Sequence, residues 1–153
     1  PPPVPAQLHG IDVDPRSTAW ARKALGERVC VQTVDLRSAK LPDADVVMLL
    51  DVLHYLDEPE QLALMDKVAH ALRGGGRLLL RVADAEAGWR FRITRIVDHS
   101  TLWMRGRVTA GFFCRTIGEW SGLLMRHGFS IEYQPMSQGT PFANVLLTAF
   151  RQL

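Results

Sequence analysis

Aspartate closes one apolar run after another in this chain, and each such acid is a candidate for chemistry. In "HGIDVDP", from His9 to Pro15, the first run stops at Asp12, takes one valine and stops again at Asp14. Asp35 ends "RVCVQTVD", Asp51 ends "DVVMLLD" and Asp84 follows "RLLLRVA". In an open α/β sheet ligands bind beyond the carboxyl ends of the strands, where a carboxylate can accept both hydroxyls of a ribose in charge-assisted hydrogen bonds. Asp12 suits that role. Asp14, followed by proline, suits the N-cap of a helix. His54 and Tyr55 come just after Asp51. A histidine titrates near neutral pH and can take a proton from a hydroxyl, while a neighbouring tyrosine can orient the group that loses it. A solvated strand end is the alternative reading for Asp35 and Asp51, and packing on a helix surface is the alternative for His54 and Tyr55.

Strands must end where these acids stand. Ala6 to Val13 reads as a short apolar strand, and the helix after it is capped by Asp14, opens on Pro15 and stops at Gly26. "RVCVQTVDL" is a weakly alternating strand, whereas Asp45 to Leu50 is apolar on both faces, as in a strand covered by helices above and below. From Pro59 to Arg73, Leu62, Met65, Ala69 and Leu72 recur at helical intervals, with Asp57 and Glu58 available as caps and Gly74 as the stop. "GGGRLLLRVA" then supplies a glycine turn and a second buried strand. The order is β-α-β-β-α-β, for which parallel crossovers are the natural reading.

Residues 88–115 are the least regular, although Trp89, Ile93, Ile96 and Val97 make one helical stripe. Thr116 and Glu119 have capping-box spacing, Trp120, Leu123, Leu124 and His127 form the inner stripe that follows, and Gly128 ends it. Phe129, Ile131 and Tyr133 alternate as a strand, and a last strand runs from Phe142 to Phe150. Roughly seven residues separate these two, too few for the parallel crossover of about a dozen. They are expected to be antiparallel, which closes a mostly parallel open sheet, helices on both faces, with a C-terminal β-hairpin.

Bulk properties exclude several classes. The 153 residues are 47% apolar and 22% charged, with a formal charge of +2, so nucleic acid is not a favoured partner. Cys30 and Cys114 stand alone, without metal-ligand spacing, so neither a metal site nor a disulfide is implied and a reducing cytoplasm fits. No apolar run approaches the ~20 residues that span a bilayer.

Taken in order, "HGIDVDP", "VDLRSAKLPDADVVMLLDVLHYLDEPEQL", "ALRGGGRLLLRV", "LLMRHGFSIE" and "FANVLLTAF" resemble the class I S-adenosylmethionine-dependent methyltransferases. The resemblance covers nearly the whole chain and implies a Rossmann-like α/β fold in one domain over residues 1–153, with 88–115 covering the acceptor. It implies S-adenosylmethionine as cofactor, with S-adenosylhomocysteine as product, and a small-molecule acceptor. By the same resemblance Asp12 binds the ribose, Val13 packs on the adenine, and Asp35 with Leu36 meets the adenine edge. Leu50 and Asp51 lie beside the methionine moiety, and His54 and Tyr55 face the methyl donor or acceptor. The acceptor walls are expected from Trp89, Phe91, Trp103, Met104, Phe112 and Phe113. Arg92, Arg95, Arg105 and Arg107 are available for an anionic group.

The family's first strand and glycine-rich loop belong before "HGIDVDP", where the chain reads "PPPVPAQL". Proline lacks the donor a central strand needs. The expectation is a fragment of a longer protein, or a second chain that fills the slot, or a relative that no longer binds cofactor. A non-catalytic methyltransferase-like subunit and a nicotinamide-dependent oxidoreductase are the rival functions. The second gives no reason for an antiparallel finish.

Overall fold

A computed structural model describes residues 7–104 and 113–152, without the side chains of residues 95 and 98–104. The prolines Pro1, Pro2, Pro3 and Pro5 lie outside the described residues, as do Arg105, Arg107, Phe112 and the side chains of Arg95, Trp103 and Met104. The chain forms two compact units, Pro1–Lys40 and Leu41–Leu153.

In the first unit, β1 (Leu8–Asp12) is followed by α1 (Pro15–Leu25) and β2 (Val29–Thr33). The two strands pair in parallel, from Leu8 opposite Val29 to Asp12 opposite Thr33. Asp14 caps α1 by accepting the Arg16 N–H at 2.9 Å, Pro15 opens the helix, and Gly26 ends it at φ 62°. A polar seam holds the helix to β2: the hydroxyls of Thr18 and Thr33 lie 2.7 Å apart, and Arg22 donates to the Val31 carbonyl at 2.7 Å.

The second unit contains β3 (Ala44–Leu50), α2 (Glu58–Ala71), β4 (Leu72–Ala83), α3 (Trp89–Met104), α4 (Ile117–Arg126), β5 (Phe129–Pro135) and β6 (Asn144–Arg151). Its sheet runs β3-β4-β6-β5; β3 and β4 are parallel, and β6 is antiparallel to both β4 and β5. The expected antiparallel finish is therefore present. Helices α2 and α4 start on reciprocal capping boxes, Asp57 with Glu60 and Thr116 with Glu119. Alternate residues of β4 and β6, Leu78, Leu80, Leu147 and Ala149, are fully buried, as are Met65 and Val68 of α2 and Leu124 of α4.

Three sequence expectations need correction. Helix α2 ends at Ala71, not at Gly74, because Leu72 already pairs with Ala44; the ladder then skips to Val46 opposite Arg77, and the glycines form a bulge inside β4. Gly76 is required there, since a Cβ would stand 2.9 Å from the Arg73 carbonyl oxygen. Nor is β3 buried on both faces: Val46, Met48 and Leu50 are 50%, 57% and 41% exposed, because these alternate residues share one face of the strand and that face is uncovered. The apolar stripe of α3 is also exposed at Trp89 and Ile96, and among the described side chains of that helix the buried one is Thr94, whose hydroxyl accepts the Ala143 N–H at 3.1 Å.

Candidate functional site

The aspartates that close apolar runs share one local geometry, with a single exception among the described residues. Asp12 accepts the Asp14 N–H at 2.8 Å, Asp35 the Arg37 N–H at 2.9 Å, and Asp84 the Glu86 N–H at 3.1 Å. Each carboxylate thus turns the backbone two residues ahead of itself. Asp12 engages Oδ1 in this way and is exposed, next to an exposed Val13. Asp35 engages both oxygens, since Arg37 also donates its Nη1 to Oδ2 at 3.1 Å, and Leu36 beside it is half-buried.

Asp51 is different. Its φ is 55°, a left-handed conformation that side chains seldom adopt and that concentrates at functional sites. Its carboxylate is gripped in bidentate fashion by Arg81, with Nε 3.0 Å from Oδ1 and Nη2 on Oδ2, and its N–H donates to the Arg81 carbonyl at 3.2 Å. Parallel pairing explains the meeting, because the register sets Leu50 opposite Arg81 and brings the ends of β3 and β4 together.

Beyond Asp51 the chain makes a 3-10 turn, Leu53–Tyr55, that buries His54. The rings of His54 and Tyr55 meet edge to face with centroids 4.0 Å apart. Burial pushes the His54 imidazole down to about 4, and the nearby Asp51 charge offsets part of that fall. The histidine is therefore neutral at pH 7.

Asp51, His54 and Tyr55 share a cavity of about 170 Å³ that lies wholly within the second unit. Ala83 of β4, Val97 of α3 and Phe142 give it apolar surface, and Thr94 and Asn144 give it hydrogen-bonding surface. The structure thus gathers three of the expected residues. Asp12, Val13, Asp35 and Leu36 belong to the first unit, and Leu50, 41% exposed, is not among the residues lining this cavity. Of the expected acceptor walls, Trp89 is 60% exposed with Arg90 stacked on its ring, while Val97, from the same stripe, does line the cavity. Sequence reasoning missed Arg81, Thr94, Phe142 and Asn144. For Arg81 a signal existed, an arginine beside the carboxyl end of an apolar strand expected to run parallel to β3.

A parallel β3–β4 pair finished by an antiparallel pair is the α/β arrangement this chain shares with solved methyltransferase structures. Residues 13–130 match the O-methyltransferase domain family, and the chain belongs to that family. No curated protein matches the sequence with significance.

Solved structures share the fold at low identity. Human N-acetylserotonin methyltransferase in complex with SAM superposes with a TM-score of 0.69 at 20% identity, over 96% of this chain and 41% of that one. An O-methyltransferase family protein from Burkholderia thailandensis gives 0.68 at 24% identity, over 95% and 43%. The 1,6-didemethyltoxoflavin-N1-methyltransferase of Burkholderia thailandensis, with bound 1,6-didemethyltoxoflavin and S-adenosylhomocysteine, gives 0.72 at 14% identity, over 96% and 62%. The chain spans about 41% to 43% of the length of the first two.

Proposed function

We propose that this chain is the cofactor-binding and catalytic part of an S-adenosylmethionine-dependent methyltransferase acting on a small molecule. The observation that carries the reading is the cavity of Asp51, His54 and Tyr55 beyond β3, in a chain that belongs to the O-methyltransferase domain family. S-adenosylmethionine supplies, when bound, a methyl group already activated on a sulfonium. The protein's task is then to position the acceptor and accept its proton. His54, neutral at pH 7, takes the proton from an acceptor hydroxyl, and Tyr55 orients that hydroxyl. Arg81 holds Asp51 in its left-handed conformation, and Asp51 in turn raises the basicity of His54.

The residues fit the cofactor's parts unequally. Asp12 has one carboxylate oxygen committed to a turn and an exposed side chain, which suits a ribose diol, and the exposed Val13 suits an adenine face. Asp35 would meet the adenine edge only in competition with Arg37, while Leu36 offers an apolar edge beside it. Leu50 and Asp51 are assigned to the methionine moiety. We further propose that residues 1–153 work as one domain in which 88–115 covers the acceptor. A further segment or a second chain supplies the glycine-rich loop, supported by the exposed apolar side chains of β3. A cytoplasmic location is part of the same proposal, supported by the free thiol of Cys30.

The test is S-adenosylhomocysteine production from S-adenosylmethionine with a panel of small hydroxylated acceptors. His54→Ala is expected to lower turnover at least 100-fold, in the range general-base catalysis supplies, with cofactor affinity retained. Unchanged turnover would remove His54 from the reaction.

A further inference from the structure

Gln61 lies in the first turns of α2, and its side chain is completely buried. A buried primary amide must satisfy two hydrogens and a carbonyl oxygen within the protein. Gln61 does so by joining two segments far apart in sequence. Its Nε2 is 3.1 Å from each of three carbonyl oxygens, those of Leu53 and Leu56 on the turn that carries His54, and that of Phe113. Its Oε1 accepts the Arg115 Nε–H at 2.7 Å. The Phe113 N–H closes the ring by donating to the His54 carbonyl at 2.9 Å. Arg115 is itself held, by Glu58 at 3.6 Å and over the ring of Trp120.

We propose that Gln61, secured by Arg115, is the positioning residue that fixes the His54–Tyr55 turn against residues 113–115, so that the histidine is presented to the cavity in one orientation. The assignment rests on the reading of His54 as the proton acceptor, but its geometry does not depend on any bound molecule. Three backbone carbonyls from two segments far apart in sequence thus share the two hydrogens of one side-chain amide. Ordinary helix packing needs no such side chain; an apolar residue would fill the same volume but would take the amide donor from the Leu56 and Phe113 carbonyls, while the Leu53 carbonyl keeps the Leu56 N–H.

Gln61→Met keeps the shape and removes the amide. Native-state hydrogen exchange on the full chain is expected to show the Phe113 N–H exchanging at least tenfold faster, with the Leu147 and Ala149 amides of β6 within twofold of the parent. NMR titration of the His54 ring is expected to move up from about 4 towards the ordinary histidine value as the turn loosens. Unchanged Phe113 exchange and His54 titration would overturn the proposal. An equal rise in exchange at the β6 amides would also overturn it, by making Gln61 merely structural. Should Gln61→Met fail to fold, Arg115→Met decides: at least threefold faster exchange at Phe113, restored by Arg115→Lys, supports the node, and no change refutes it. None of these measurements uses cofactor or turnover, so a failure of the methyl-transfer reading remains distinguishable from a failure of this one.

Discussion

Residues 7–40 and 41–152 are built at very different densities. In the second unit the sheet and helices bury a run of large apolar side chains, Trp120, Leu53, Met65, Leu78, Leu80 and Leu147 among them. In the first, Thr18 and Ala39 are the buried residues, while Leu8, Trp20 and Leu25 stay exposed. A parallel two-strand sheet with one helix closes very little apolar surface, and such small sheets are marginal on their own. The aspartates differ in the same sense. Asp12 and Asp35 serve exposed turns, whereas Asp51 is strained, ion-paired and set beside a buried imidazole. The carboxylates proposed to meet the cofactor stay accessible in the thin unit, and the imidazole proposed to take the proton is shielded in the dense one.

That contrast can be broken by mutation. Leu80→Ala is expected to cost about 2–5 kcal/mol, read by urea denaturation, because it empties a fully buried position at the centre of β4. A cost under 1 kcal/mol would mean that the second unit is not the dense one.

Acid should act on the same unit next. His54 has a folded pKa of about 4 against 6.5 unfolded, so between those values the unfolded chain binds the extra proton. Stability contributed by keeping His54 neutral is full above pH 6.5 and falls as pH drops towards 4, by about 3 kcal/mol in all. His54→Gln should flatten this stretch of the pH–stability curve.

Arg81→Met is expected to cost less, about 1 kcal/mol, because both partners of the Asp51 pair are more than a third exposed. It should also raise the His54 titration, since the Asp51 charge then acts on the imidazole without its counter-ion. The smallest effect belongs to the thin unit. Thr18→Val removes the Thr18–Thr33 hydrogen bond and should cost about 1 kcal/mol or less, seen as faster amide exchange confined to residues 8–33.

Much of the frame was legible because local chemistry decides it. Asp14 before Pro15, Asp57 at the start of α2 and Thr116 with Glu119 satisfy helix N-termini by contacts within a few residues, and the short link between β5 and β6 leaves only an antiparallel return. What was not legible depends on register and layer position. The helical pattern through Leu72 continues past the point where β4 begins, because Leu72 serves a sheet pairing as well as a helical stripe would. Apolar residues at Val46, Met48 and Leu50 carry no mark to say that their face stays open.

At the site, Asp51, His54 and Tyr55 were foreseeable as neighbours after an apolar strand. Arg81 was hidden because it lies 30 residues away and reaches Asp51 through strand pairing alone. Thr94 and Asn144 were hidden because single polar residues among aliphatics give no periodic signal.

The most direct test of the account is calorimetric titration of S-adenosylhomocysteine, with NADH as the comparison ligand, into the protein and its Asp12→Asn variant. The substitution keeps an oxygen for the Asp14 N–H and removes the charge a ribose diol would use. Binding of S-adenosylhomocysteine without NADH, weakened at least tenfold in the variant, is the expected result. Binding of NADH instead, or S-adenosylhomocysteine affinity indifferent to the substitution, would contradict it.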